Sequence, residues 1–276
     1  MNPMGGFARR MSFWNAFKRK FPERFSLRLD GGSIFDSASA QAPLVNRWIL
    51  EGTLRSNLDA LNLSAWDLPV WRLMGDLTAA GQLSKELLNI ALVSANVKAK
   101  VPNFPQVQRY VIKEFSFDSN AGSKGFRIGI TGLLFDPQER ISRQDFEILD
   151  YQRAVREVMA EITNKTDYRV ILTDMDIGKA ISLAIQVPDI SLILVAHNYE
   201  GVSEPQRVGD TLIVTSVNEG RAISEVRLGL SKDSGKVDIQ SRFVQLDKTV
   251  PDDPNLGELV RKAQAQLDDF NKRSRQ

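Results

Sequence analysis

The chain of 276 residues carries 36 Lys+Arg against 34 Asp+Glu, one His and no Cys. A formal charge of +2 supplies no basic field for nucleic acid, while 42% hydrophobic residues suffice for a substantial core. The lack of Cys excludes disulfides, zinc fingers, iron–sulfur clusters and thiol nucleophiles, and a single imidazole excludes sites that need two.

The first residues alternate aromatic with basic side chains and never form the apolar run of a signal peptide. No stretch approaches the ~20 apolar residues of a membrane span. Phe7, Met11, Trp14 and Phe21 fall on one face of a helix predicted from Gly5 to Lys20, ringed by Arg9, Arg10, Lys18, Arg19 and Lys20. Such a basic amphipathic helix suits a membrane surface. The commoner use, and the one expected, is a surface helix that packs its aromatics on a sheet. Pro22 ends it, and Phe25 to Asp30 reads as a strand running into the turn Gly31-Gly32.

Pro43 to Leu61 has helical spacing, with Leu44, Trp48, Leu54, Leu58 and Leu61 inward and Pro43 near N1. Ser84 to Asn89 predicts a short helix before the apolar run Ile90 to Asn96. Arg109 to Phe117 and Phe126 to Leu134 are β-rich, and the turn formers of Asp118 to Gly125 between them predict a hairpin. The segment Gly125 to Gly132 has glycine spacing but no following helix, so it is no phosphate cradle.

A helix over Asp145 to Asn164, a buried strand over Arg169 to Thr173, a helix over Ile177 to Gln186 and a strand over Ile190 to Ala196 follow. Strands without helices come next, at Thr211 to Val217, Ala222 to Leu230 and Val237 to Leu246, the last two joined at Asp233-Ser-Gly235. An amphipathic helix from Leu256 to Phe270 closes the pattern. Alternating strands and helices followed by an antiparallel run predict two sheets covered by helices. The organisation read from this is a single domain over residues 1–255, followed by a C-terminal amphipathic helix over 256–276.

The order of short blocks resembles the metallophosphoesterase domain of the 5′-nucleotidase family. Gly5 to Arg10 is similar to its GGLARR-type helix start, and Leu29-Asp-Gly-Gly-Ser-Ile-Phe35 to its LDxGDxF strand end. Asn57 to Asn62, with Asp67, is similar to its LNxLGYDA block, and Val93-Ser-Ala-Asn96 to its LSANV strand. Tyr110 to Lys113 and Ile128 to Gly132 resemble the following hairpin. Val187 to Ile190, Ala196-His197 and Gly209 to Val214 resemble the run VPGIDxIIGGHxH…GxTxIV. The resemblance runs from Gly5 to about Pro254. It implies an α/β (α+β) fold of two mainly mixed sheets packed face to face and flanked by helices, a four-layer αββα sandwich.

The chemistry of that family is two-metal phosphoester hydrolysis, in which paired cations activate water and clamp phosphoryl oxygens. The resemblance also shows which ligands this sequence lacks. The initial D-x-H pair has no counterpart, and the bridging Asp falls on Ser33. Trp71 to Asp76 stands where a Gly-Asn-His block belongs, and Asp174 where a His belongs. Of the G-H-x-H block, Ala196-His197-Asn198-Tyr199 keeps the first His alone. One imidazole and scattered carboxylates do not make a two-metal centre.

The expected function is therefore that of a pseudoenzyme: a metallophosphoesterase-like binding or structural module, with no catalytic residues and no cofactor. The alternative is a divergent hydrolase with one divalent metal on His197, Asp174, Asp176 or Asp30. For Asp174 and Asp176 the favoured reading is a cap on the helix from Ile177, for Asp30 and Asp36 turn and cap roles, and for His197 packing or a hydrogen bond. A third reading makes the chain a piece of a longer protein with its first strand upstream. In the family that strand lies inside a sheet. Its absence implies an open edge for another protein chain or for self-association, with no nucleic acid and no membrane span. Localisation is open: the sequence carries no signal and reads as cytoplasmic as it stands, whereas members of such a family are usually exported.

Overall fold

The computed structural model describes residues 6–36, 39–84, 90–119, 122–139, 141–196, 204–216, 220–230 and 237–274. The N-terminal half contributes α1 (Phe7–Lys20), β1 (Leu29–Asp30), α2 (Ala42–Arg55), β2 (Ala60–Asn62), α3 (Leu68–Ala79), β3 (Leu92–Val93), β4 (Val97–Ala99) and β5 (Val107–Gln108). Next come β6 (Val111–Ser119), β7 (Gly122–Leu133), β8 (Phe146–Ile148), α4 (Tyr151–Ile162), β9 (Tyr168–Thr173), α5 (Ile177–Gln186) and β10 (Leu192–Val195). The chain continues through β11 (Gln206–Val208), β12 (Thr211–Thr215), β13 (Ala222–Leu230), β14 (Val237–Gln245) and α6 (Pro254–Arg273).

A parallel sheet of order β1-β2-β3-β5 faces a six-stranded sheet of order β11-β12-β10-β9-β7-β6. In the larger sheet β7, β9, β10 and β12 are parallel, while β6 and β11 flank them antiparallel. Two-stranded pairs β13-β14 and β4-β8 complete the architecture.

The period-two alternation of β9 explains the layering. Val170 and Leu172 point between the sheets, where they meet Ala60 and Val93 of the smaller one. Ile171 points the other way, onto Val155, Met159 and Ile162 of α4 and Leu183 of α5. On the far side, Leu61 and Leu92 of the small sheet pack against Leu50 of α2 and Trp71 and Met74 of α3. The result is the expected four-layer αββα sandwich. The central parallel strands β2, β3, β9, β10 and β12 are apolar and largely buried on both faces, as parallel strands require.

Several elements differ from the sequence reading, each for a local reason. The helix expected from Pro43 to Leu61 stops at Arg55, because Asn57 takes a left-handed conformation (φ 47°). Leu61 then belongs to β2. The strand expected over Phe25 to Asp30 contracts to Leu29–Asp30, and the Asp59 side chain takes the Arg28 N–H at 2.9 Å in place of a ladder carbonyl. The helix expected from Asp145 starts only at Tyr151, after β8 and an Asp150 cap that accepts the Arg153 N–H. Helix α3 and the short β11 have no counterpart in the sequence reading. The hairpin strands run further than expected, pairing out to Ser119 and Gly122. Helix α1 ends at the expected Lys20 but begins at Phe7 rather than Gly5, and it packs Phe7, Met11 and Ala8 on Leu256, Leu259 and Trp48 of neighbouring helices rather than on a sheet. The helix expected over Ser84 to Asn89 falls almost wholly outside the described residues, as does the Asp233-Ser-Gly235 turn.

The sheets touch at Gly132, where a Cβ would lie 2.2 Å from Asn62 Oδ1 and 2.3 Å from the Val93 carbonyl oxygen. Main chain cannot give way there as a flexible side chain can. Gly132→Ala is expected to cost roughly 1–3 kcal/mol in urea denaturation. Gly229→Ala, whose Cβ meets nothing nearer than 3.6 Å, is the matched control and should show no comparable loss.

Candidate functional site

The parallel strands of both sheets end on the same side of the molecule, the side on which open α/β sheets generally bind ligands. Beyond β1 lies the loop Gly31–Asp36, beyond β9 lies Asp174, and beyond β10 lies Ala196. The two sheet ends approach closely: a Cβ on Gly31 would lie 2.8 Å from the Ala196 Cα. Asn62, buried at the end of β2, joins them by donating to the Gly31 carbonyl at 3.0 Å and the Leu133 carbonyl at 3.2 Å. Asn96 does the same one strand further on, donating to Leu134 O and accepting the Leu134 N–H, each at 2.9 Å.

At the centre is Asp67. Gly32 (φ 93°) and Ser33 (φ 59°) both adopt left-handed backbone, which turns successive amides inward. The buried Asp67 carboxylate accepts the N–H groups of Ser33 at 2.7 Å, Ile34 at 3.0 Å and Phe35 at 3.1 Å. Burial pushes its pKa up to about 6, against these donors, and the neighbouring Asp30 charge pushes the same way. Asp174 is partly buried, and the desolvation raises its pKa to about 7. The Phe135 N–H, donated at 3.0 Å, opposes that rise and the Asp67 charge adds to it. Burial also raises Asp30, while Arg10 at 3.7 Å and the Gly32 N–H at 3.1 Å act in the opposite direction.

The structure thus brings Asp30, Ser33 and Asp174 to one place and separates Asp176 from them. Asp176 caps α5, accepting the Lys179 N–H at 2.8 Å, the role preferred for it from sequence. Asp174 faces the loop after β7 and takes no part in that cap. Asp30 makes the expected turn contact with Gly32, and Asp36 accepts the Ser39 N–H at 3.0 Å. His197 lies outside the described residues. Sequence reasoning placed Asp67, Asn62 and Asn96 in family blocks without assigning them a site role. Asp67 stands two residues before Pro69, in helix N-cap position, yet its side chain makes no cap bond and serves the distant loop instead. No local signal reveals such a partner.

The described donors do not fit a pair of cations. No group of three or more His, Cys, Asp or Glu among the described residues is placed to hold a metal. Both oxygens of the Asp67 carboxylate accept main-chain N–H groups, and Asp174 Oδ1 accepts the Phe135 N–H. Ser33, which the resemblance sets against a bridging carboxylate, offers a buried hydroxyl with no hydrogen-bond partner. A neutral hydroxyl does not balance two dications.

No family model matches the chain, and no curated protein matches it. Solved structures do. A 5′-nucleotidase precursor from Thermus thermophilus superimposes with a TM-score of 0.76 at 19% identity, over 96% of this chain and 54% of that one. The fold is that of the metallophosphoesterase-type domain. Sulfate thiohydrolase SoxB from the same organism follows with a TM-score of 0.74 at 19% identity, over 97% of this chain and 48% of that one. The calcineurin-like phosphoesterase YfkN from Bacillus subtilis gives 0.71 at 16% identity, over 96% of this chain and 90% of that one. The chain spans about half the length of the first two.

For an acid whose folded pKa is raised, the folded protein holds its proton above the pH at which the unfolded chain releases it. Stability from that proton is complete below the unfolded value, near 3.8, and is lost as pH rises through the folded value of about 7 for Asp174. Asp174→Asn is therefore expected to change the pH profile. Relative to wild type it should gain on the order of 1 kcal/mol per pH unit between pH 5 and pH 7. Thermal melts of both proteins across that range measure the difference.

Proposed function

We propose that this metallophosphoesterase-type domain works without hydrolysis, as a pseudoenzyme that binds or supports another protein. The observation that carries the reading is the engagement of both Asp67 carboxylate oxygens by main-chain N–H groups of the loop after β1. The serine at position 33 supports it from the sequence side. On this reading the domain needs no cofactor, and its partner is a polypeptide that adds to an open sheet edge. A near-balanced charge of +2 argues against nucleic acid as that partner. No helix among the described residues is long and apolar enough to cross a membrane.

Purified protein is expected to hydrolyse neither nucleoside monophosphates nor aryl phosphates above blank when magnesium, manganese or zinc is added. Elemental analysis should find no stoichiometric divalent metal. Turnover that rises with manganese and disappears in His197→Ala would instead establish the divergent hydrolase, with the metal on His197 and one or more of Asp174, Asp176 and Asp30.

Asp67→Ala tests the structural half of the reading. Three buried N–H groups lose their acceptor, so a loss of roughly 3–5 kcal/mol is expected. Asp67→Asn keeps one acceptor oxygen and should lose clearly less. Equal stability of wild type and Asp67→Ala by chemical denaturation would remove the basis for a structural carboxylate.

A further inference from the structure

The β13-β14 hairpin forms a two-stranded sheet of its own. The Leu246 N–H bonds to the Arg221 carbonyl, which makes residues 238, 240, 242 and 244 the ones on β14 that bond to β13. The main-chain groups of Val237, Ile239, Ser241, Phe243 and Gln245 therefore point away from β13. Among the described residues no hydrogen bond reaches them. Natural proteins blunt such an edge with Pro, a bulge, a very short strand or an inward-pointing charge. The edges of the larger sheet carry such devices. There β11 spans three residues, and β6 has Lys113 in phase with the core-facing Val111, Phe115 and Phe117. The β14 edge carries none of them. It reads Val-Asp-Ile-Gln-Ser-Arg-Phe-Val-Gln, its register with β13 is unbroken over nine pairs, and Val237, Ile239, Ser241 and Phe243 put no charge on the core side. Phe243 is half-buried, yet among the described residues it joins none of the apolar clusters.

The charges on β14 select its partner. A second β14 laid antiparallel along this edge pairs odd-numbered residues with odd ones, so the two-fold axis falls on a residue. With the axis at 238 or 242, Asp faces Asp or Arg faces Arg. At 239 or 241, Asp238 faces Gln240 or Val244. At 240 alone, each Asp238 faces the Arg242 of the other copy, twice over, on the solvent side. Both groups have capacity for this. Arg242 gives its Nε to Glu225 at 2.6 Å, which leaves the terminal guanidinium nitrogens for a second carboxylate. Among the described residues Asp238 takes only the Gln240 amide, at 3.4 Å. On the core side the same register sets each Phe243 against a Val237.

We propose that two copies of this chain pair through β14, joining their hairpins into one four-stranded antiparallel sheet about a two-fold axis at Gln240. Nine residues a side is short of the roughly 20–30 of a stable interface, so the dimer forms reversibly with concentration. This deepens the binding-module reading by naming its partner, and rests on that reading. Its readout is a covalent cross-link, which needs neither metal nor turnover, so the two stand or fall on separate measurements.

The chain has no Cys, so a single introduced thiol reports the register. In the proposed sheet residue 240 faces its own counterpart in a non-hydrogen-bonded pair, and a disulfide spans that Cα separation of about 4.5 Å. Full-length Gln240→Cys, oxidised over a range of concentrations, is expected to give a disulfide-linked dimer. Gln245→Cys is exposed on the same strand but would lie roughly 30 Å from its counterpart, and should stay monomeric. Adding Asp238→Arg to Gln240→Cys sets Arg against Arg and should slow cross-linking ~10-fold or more. Adding Ser241→Pro, which removes an outward N–H and none of the hairpin's own bonds, should abolish it. Circular-dichroism melts matching the parent confirm that each variant keeps its fold. A Gln240→Cys protein that stays monomeric at every concentration overturns the dimer. Equal cross-linking at 240 and 245, or cross-linking at 240 that is indifferent to Asp238→Arg, overturns the register.

Discussion

A carboxylate buried between two sheets has to be satisfied from inside the protein, and the strand-end region is built around that requirement. Asp67 accepts three consecutive N–H groups, and to present them the loop must pass through left-handed backbone at Gly32 and Ser33. Once the loop is held, Phe35 meets Trp71 edge-on at 5.1 Å. The Asp36 N–H reaches Asn46 Oδ1 at 2.8 Å, and the Asn46 amide returns a bond to the Asp36 carbonyl at 2.7 Å. The loop after β1 is thereby tied to α2 and α3. Its amides and the carboxylate are used on each other.

The same region is tight because small residues stand where the sheets converge. Gly31 admits Ala196, and Gly132 admits Asn62 and the Val93 carbonyl. Asn62 then ties the loop after β1 to the end of β7, two places that belong to different sheets. Close approach of backbone to backbone there is held by amide hydrogen bonds between the two sheets.

Fold and metal donors obey different demands in this chain. TM-scores of 0.71 to 0.76 accompany identities of 14 to 19%. The layers persist at such distance because they ask only for apolar residues at the right period, and many sequences meet that demand. A two-metal site asks for particular donors at particular strand ends, where one substitution removes a ligand. Shared architecture therefore speaks to the sandwich and not to the reaction.

The layers were legible in the sequence. Val170, Ile171 and Leu172 alternate, α5 spans its expected limits of Ile177 and Gln186, and β13 its expected limits of Ala222 and Leu230, because period and turn residues are local properties. What local pattern missed depended on distant partners. Leu61 left a predicted helix for β2 because β1 and β3 lie on either side of it, and α1 turned to α2 and α6 because their apolar faces were free. Asp67 has the look of a cap in the sequence, and became the anchor of a loop 34 residues away when β1 was laid beside β2. Residue types and periods decided the layers. Only the tertiary structure decided which buried groups face each other, because hydrogen-bond partners in a parallel sandwich are brought together by crossovers that leave no trace in local spacing.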